Sequence, residues 1–544
     1  MNAQQSETIY SCFEAIAKRN PGKTALVYLG TEWTYAELHN LVERTAVGLK
    51  MQGLKKGDRV LLYLPNIPQW VISFLAVQRL NAVAVAVSPV STPIELSEVV
   101  DKCRPEILIC TDTNFGYALG LFQQKSIKKV LVASLTELLP WWKRLINKLM
   151  KLNPEGRILQ DENISTFRKL QQTNPSSLPS FEGKGDDVAF ICYTSGTLGR
   201  PKALPFSSNA LLESITAPRL ISESLVGHGQ GVTLLGRPLY DSLGILTALA
   251  GLIYAGDTLL LVHEENADAL MSMIQKYGAT HLLGSPDFFR GLIENPRTDQ
   301  YDLSSLKYCF TGGDSLPIRI AEGWGRKFEQ PLYTSYVVTE ACGPVAIAPP
   351  DDQIPAGTAG KIIPGKKIKF IDQESGEEVP PGEPGEVLVS SDSMVRTYWE
   401  SPEETKKSFL ELDGQSWFRT GDIGRLDDHG WFFFLSRSTD IITHQGHRII
   451  APEIERVLED HPAVVRASVV GVTDPNVGER IKSFLVLAPG VKGITSYQLI
   501  EWCREKLASH MVPQYIEFRD MLPTSRAGKL LKKELILEEE ETET

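Results

Sequence analysis

No uninterrupted apolar run in the sequence reaches the ~18 residues that a membrane-spanning helix needs, so no such helix is expected. Cysteine is sparse: the seven, an odd number scattered from Cys12 to Cys503, give neither a disulfide framework nor a Cys-x-x-Cys metal site. A reducing cytoplasm is the simplest compartment for such a chain. Positive charge is in deficit, with 56 Lys and Arg against 67 Asp and Glu, a net charge of −11 and a pI near 5.5. A general nucleic-acid binder needs the opposite balance. The first twenty residues are polar and charged throughout, so no secretory signal is expected. There is no Gly-x-x-x-x-Gly-Lys-Ser/Thr loop and no internal repeat. The only biased tract is the acidic end Glu538 to Thr544, expected to be disordered.

What is present is size and alternation. With 544 residues and 42% apolar content, the chain can bury large cores and exceeds one domain. Short apolar runs (Arg59 to Leu64, Ala82 to Val87, Ile107 to Cys110, Lys129 to Val132) alternate with helical spacing over Tyr35 to Gln52 and Gln69 to Leu80. That pattern predicts βαβ units building parallel sheets buried on both faces. Beyond about residue 360, Gly-, Pro- and Glu-rich turns between short strands predict a smaller β-rich subdomain.

Tyr193-Thr194-Ser195-Gly196-Thr197-Leu198-Gly199-Arg200-Pro201-Lys202 follows an apolar run. Glycines that let backbone N–H groups approach one anion, hydroxyl donors and a mobile Lys are phosphate-gripping chemistry. The same composition also makes ordinary surface turns. Four further segments follow in order: Tyr336 to Glu340, Trp417 to Asp422, Ser436 to Asp440 leading to Gly446, and Pro523 to Lys529. Together the five segments resemble the adenylate-forming superfamily of acyl-CoA synthetases, aryl-CoA ligases, luciferases and peptide-synthetase adenylation domains, and most resemble medium- and long-chain fatty acid–CoA ligases. The resemblance runs from Thr34-Tyr35-Ala36-Glu37-Leu38 to Lys529.

The resemblance implies an α/β fold. A large N-terminal adenylation domain (1–435) of parallel sheets plus the β-rich subdomain would be followed by a small mobile α+β domain (436–544). It also implies ATP, Mg²⁺ and CoA as reactants and a carboxylic acid as substrate. By resemblance, Thr194, Ser195, Gly196, Thr197, Gly199 and Lys202 hold the β- and γ-phosphates. Thr339 touches the α-phosphate and Glu340 takes Mg²⁺. Tyr336 stacks on adenine opposite the loop Gly312-Gly313-Asp314-Ser315. Asp422 and Arg437 fix the ribose or phosphates, and Gly446 lies on the CoA path. Lys529 bridges the acyl carboxylate and the α-phosphate. The chemistry is in-line positioning and charge neutralisation. His281, His444 and His447 are not needed as bases and read as structural or substrate-lining.

Several positions depart from the superfamily pattern. Val337 replaces a Gly beside the acyl pocket and should narrow or redirect it. Tyr240-Asp241 replaces an aromatic-His pair, placing a carboxylate near the pocket wall. Thr439 stands at the hinge in place of Asp or Lys. Gly313-Asp314-Ser315-Leu316 resembles a hydrolase nucleophile signature, but no Asp is followed three positions later by His. Two alternatives stay open. One is a fatty acyl-AMP ligase that loads the phosphopantetheine of a carrier protein, against which the short Tyr398-to-Thr420 span counts; the other is a weak acyl- or nucleotide-binding pseudoenzyme. Finally, residues 138–152 combine Trp141, Trp142 and aliphatics at helical spacing with Lys143, Arg144, Lys148 and Lys151. Such a basic amphipathic helix suits peripheral contact with the inner face of a membrane, or packs on the domain with solvated lysines.

Overall fold

The computed structural model describes residues 7–124, 126–150, 156, 158–159, 161–175, 178–179, 181–194, 202–262, 266–350, 353–444, 447–474, 477–491, 493–524 and 530–542. Local signals set the first elements. Thr34 caps the helix Tyr35–Met51: its hydroxyl accepts from the Glu37 N–H at 3.2 Å, and the Glu37 carboxylate accepts from the Thr34 N–H at 2.8 Å. This reciprocal pair satisfies two backbone donors that a helix start otherwise leaves unused. Thr92 and Glu95 repeat the device on the helix Pro93–Cys103.

The alternation closes into sheets as its periodicity requires. In a seven-stranded sheet, Ile164–Thr166, Lys129–Ala133, Ile107–Thr111, Arg59–Tyr63, Val83–Ala86 and Val188–Thr194 run parallel in that spatial order, and Lys202–Ser207 returns antiparallel at the edge. A larger sheet has a parallel centre: Thr24–Tyr28, Thr258–Leu261, Val232–Leu235, His281–Leu283, Tyr308–Gly312 and Tyr333–Val338. The β-rich region beyond residue 360 continues this same sheet. Gly343–Ile347 and Gly360–Ile362 carry it antiparallel into Trp431–Arg437, Gln415–Leu426, Gly385–Ser391 and Lys366–Ile371. A core including Trp70, Phe74, Phe190 and Phe206 underlies the first sheet, with Trp70 stacked on Phe74 at 5.5 Å and Phe190 edge-on at 5.8 Å.

The chain changes sheets at the turn Ser438–Asp440. Ile441–His444, His447–Ile450, Val464–Asp474, Gly478–Leu487 and Tyr515–Phe518 form a separate five-stranded sheet, covered by the helices Ala451–Glu459 and Ser496–Arg504. Its core, with Ile454, Val469, Leu485 and Leu499, is distinct from the larger ones. The fold is thus mixed α/β, a large N-terminal domain followed by a small one.

One expectation is corrected. The acidic tail is not disordered from Glu538, because the helix Lys532–Thr542 carries the chain as far as Thr542. Leu535 is buried near Phe484, while Lys482 and Arg519 hold Glu539 and Glu538 at 2.7 and 3.1 Å. Tertiary charge partners offset the self-repulsion that composition alone reports.

Candidate functional site

Strand ends of the large sheet and the beginning of the small domain converge on a cleft of about 1360 Å³. Thr194, Gly313, Asp314, Ser315, Tyr336, Asp422 and Arg437 line it, with Tyr240, Val337 and Thr439. Residues drawn from positions 194 to 439 therefore share one wall. Ser195, Gly196, Thr197, Gly199, Gly446 and Lys529 lie outside the described residues. The flanks of the glycine-rich loop are described: Thr194 and Lys202 are cross-strand partners at the mouth of a hairpin.

Strand register builds the centre of the site. Asp422 and Arg437 are opposed in an antiparallel pair, and the Arg437 Nε lies 2.7 Å from the Asp422 carboxylate. Tyr336, from the last strand of the parallel centre and two strands removed from that pair, donates its hydroxyl to Asp422 Oδ2 at 2.5 Å and packs on Phe432 at 4.7 Å. Burial and the adjacent Asp422 charge push the Tyr336 phenol well above its ordinary value, so it stays a donor. Its ring thus braces the carboxylate as well as facing the cleft.

After Val338 the chain turns through Thr339–Cys342, with the Cys342 N–H donating to the Thr339 carbonyl at 2.9 Å. Thr339 Oγ1 lies 3.4 Å from the Ser242 hydroxyl. Burial raises the Glu340 carboxyl above the usual carboxylate range; the Tyr398 hydroxyl, which donates at 2.9 Å, and the Lys202 and Arg437 charges oppose that. Lys202 lies 4.7 Å from the Tyr398 ring centroid and 3.1 Å from Glu404. A buried carboxylate that receives the Tyr398 hydroxyl is a hard-oxygen donor of the kind Mg²⁺ takes. Among the described residues no group of three His, Cys, Asp or Glu gathers into a cage.

Asp241 follows the cleft-lining Tyr240. Its carboxylate caps the helix Ser242–Leu249, accepting from the Leu243 N–H at 2.9 Å, and is paired with Arg237 Nε at 3.0 Å. The charge is thus neutralised locally by Arg237. Val337 follows a bulge between Tyr336 and Val337. A methyl on Gly312 would sit 2.2 Å from Ser335 Oγ and 3.0 Å from Val337 Cγ2, so this wall is already filled. Gly313, at φ +83°, takes a backbone that favours glycine. Thr439 is exposed in the Ser438–Asp440 turn. The three histidines each have partners outside the Tyr336–Asp422–Arg437 group. Burial lowers His281 to about 3, His444 bonds the Glu479 carbonyl at 2.6 Å, and His447 stacks on His510 at 4.4 Å.

Sequence reading missed Tyr398, Arg237 and the buried Lys366. Tyr398 falls in a recognisable Tyr-Trp pair, but its contact with Glu340, 58 residues away, has no local signal.

Comparison with known proteins finds similarity along nearly the whole chain. Residues 13–399 match the AMP-binding enzyme family, and residues 453–529 match the AMP-binding enzyme C-terminal domain. A long-chain-fatty-acid–CoA ligase of Bacillus subtilis (strain 168) is 30% identical over 99% of this chain and 95% of its own length. A long-chain-fatty-acid–CoA ligase of Escherichia coli O6:H1 is 28% identical over 98% and 95%. Among solved structures, an anthranilate CoA ligase in complex with anthranoyl-AMP superposes with a TM-score of 0.86 at 23% identity, covering 100% of this chain and 99% of that one. At that identity the likeness speaks for the fold alone.

Proposed function

The chain belongs to the AMP-binding enzyme family, and from that premise we propose that it activates a medium- or long-chain fatty acid with ATP, releasing pyrophosphate, and transfers the acyl group to CoA. The observation that carries the reading is the Tyr336–Asp422–Arg437 constellation on the wall of a cleft large enough for nucleotide and acid together.

A free carboxylate is a poor electrophile, and an acyl-adenylate makes it a good one. The carboxylate oxygen attacks the α-phosphorus, the bond to the pyrophosphate oxygen breaks, and the CoA thiolate later displaces AMP. The protein's part is alignment and charge neutralisation. Asp422 accepts from the ribose hydroxyls and Arg437 donates to ribose or phosphate. Tyr336 holds Asp422 and offers its ring toward adenine, opposite Gly313, Asp314 and Ser315. Thr194, Ser195, Gly196, Thr197, Gly199 and Lys202 grip the outer phosphates; for Lys202 this means exchanging Glu404 for phosphate. Thr339 meets the α-phosphate, and Glu340 holds Mg²⁺, which when bound neutralises phosphate charge. Lys529 stabilises the charge that builds between carboxylate and α-phosphate.

The division into residues 1–435 and 436–544 is supported by the change of sheet at Ser438–Asp440. We take Thr439 as its pivot and Gly446 as part of the CoA path. Tyr240 and Val337 border the acyl pocket. Contact with a membrane surface is supported by the helix Trp141–Met150, which sits with its apolar side outward. Trp141, Leu149 and Met150 are 70%, 74% and 66% exposed, whereas Asn147 is buried and Lys143 donates to the Leu29 carbonyl at 2.9 Å. No helix of the described residues is long and apolar enough to cross a membrane.

A pyrophosphate-release screen over acids of different length and shape, with and without CoA, tests the reading. Release with fatty acids and formation of the acyl-CoA are expected. Release without thioester would point to a carrier-protein acceptor, and no release with any fatty acid overturns the proposal.

A further inference from the structure

One buried charge has no part in the chemistry above. Lys366 opens the strand Lys366–Ile371 and is 8% exposed. Its ammonium donates to the Ala341 carbonyl at 2.6 Å, the Ser393 hydroxyl at 2.7 Å and the Ser391 hydroxyl at 3.3 Å. An ammonium has three N–H donors, and these three acceptors use them all. Both serines are buried as well. Burying an ammonium against neutral acceptors is costly. Burial correspondingly lowers this lysine's pKa, with Cys342 and Glu213 opposing.

What the charge secures is the turn that carries Glu340. Ala341 follows Glu340 directly, and the Glu340 carbonyl is held from the same side by the Val395 N–H at 3.0 Å. The next residue, Cys342, has φ +59°, a left-handed conformation that a non-glycine residue adopts at a cost. The turn is therefore imposed by its surroundings, and Lys366 and Val395 belong to the region that holds it.

We infer that Lys366 is a positioning residue that fixes the Thr339–Cys342 turn, and through it the Glu340 carboxylate, where a divalent cation on a triphosphate is met. The inference rests on the metal role proposed for Glu340.

Mn²⁺ binding to the full-length protein, measured by electron paramagnetic resonance with a non-hydrolysable ATP analogue, tests it without turnover. Glu340→Gln and Lys366→Met should each weaken Mn²⁺ about tenfold or more, the usual scale for loss of an outer-shell support. The double variant should bind no more weakly than Glu340→Gln alone, because Lys366 acts through Glu340. Ser393→Ala, which removes one acceptor, should shift affinity in the same direction by less, with melting temperature confirming a folded protein. If Glu340→Gln leaves Mn²⁺ affinity unchanged, the metal role of Glu340 fails and takes the inference with it. If Glu340→Gln weakens binding while Lys366→Met binds normally, or the two effects simply add, the inference alone is overturned. Should Lys366→Met not fold, Ser393→Ala decides, and unchanged Mn²⁺ affinity in that variant counts against it.

Discussion

Asp422 and Arg437 stand opposite one another on adjacent antiparallel strands, 2.7 Å apart at their charged ends, with the Tyr336 hydroxyl closing on the other oxygen of the same carboxylate. One buried carboxylate thus serves two neighbours. Removing its charge should disturb both the fold and whatever the cleft binds.

Asp422→Asn leaves the Arg437 guanidinium without its partner and should destabilise the protein by about 1 to 3 kcal/mol while raising KM for ATP about tenfold or more. Tyr336→Phe, which deletes only the hydroxyl, should cost about 1 kcal/mol with a smaller effect on KM. Denaturant melts and ATP titrations separate the two effects. Loss of stability with an unchanged KM for ATP would mean that the pair is structural only.

Lys529 is assigned to the adenylation transition state alone. Lys529→Ala should slow acyl-AMP formation by about 10² or more and leave thioester formation from supplied acyl-AMP much less affected. Single-turnover assays of each half-reaction check this, and equal losses in both would reject the assigned role.

Val337 lines the cleft beside Gly312, where the wall is already filled. Val337→Gly should open it and shift the acid profile toward bulkier or longer substrates, by about 1 to 3 kcal/mol in relative kcat/KM per misfitted group. An acid profile identical to wild type would place the channel elsewhere.

The outward apolar side of Trp141–Met150 should adsorb to anionic vesicles, less strongly as salt rises. Lys143 is already engaged by Leu29 and Thr31, so the salt dependence should reflect Arg144, Lys148 and Lys151. Replacing Trp141 and Trp142 with Ser should lower co-sedimentation without lowering activity on a soluble short acid. Failure of the wild-type protein to sediment at low salt would dismiss the contact.

The sequence made the scaffold legible where chemistry is local. The helix read over Tyr35 to Gln52 forms as Tyr35–Met51, and the strands begun at Arg59, Ile107 and Lys129 form within a residue or so of their apolar runs. Capping pairs three residues apart and the period of the apolar positions carry that information. The acidic tail misled because its partners, Lys482 and Arg519, lie elsewhere in the chain. The Trp141–Met150 helix was legible as amphipathic. Which side faces the protein was not, since spacing defines two faces and only packing assigns one of them inward.

By itself, then, the sequence determined the alternating elements, the order of the motif segments and the residue types gathered in the cleft, because periodicity, capping and side-chain chemistry act over a few positions. Tertiary structure alone decided which of those residues meet. The opposition of Asp422 and Arg437 depends on strand register, the bond from the Tyr336 hydroxyl to Asp422 joins residues 86 positions apart, and Tyr398 on Glu340 and Lys366 on Ala341 are brought in from the β-rich end of the large sheet. Each is a contact between segments whose separation along the chain, or whose face, is fixed only when the sheets close.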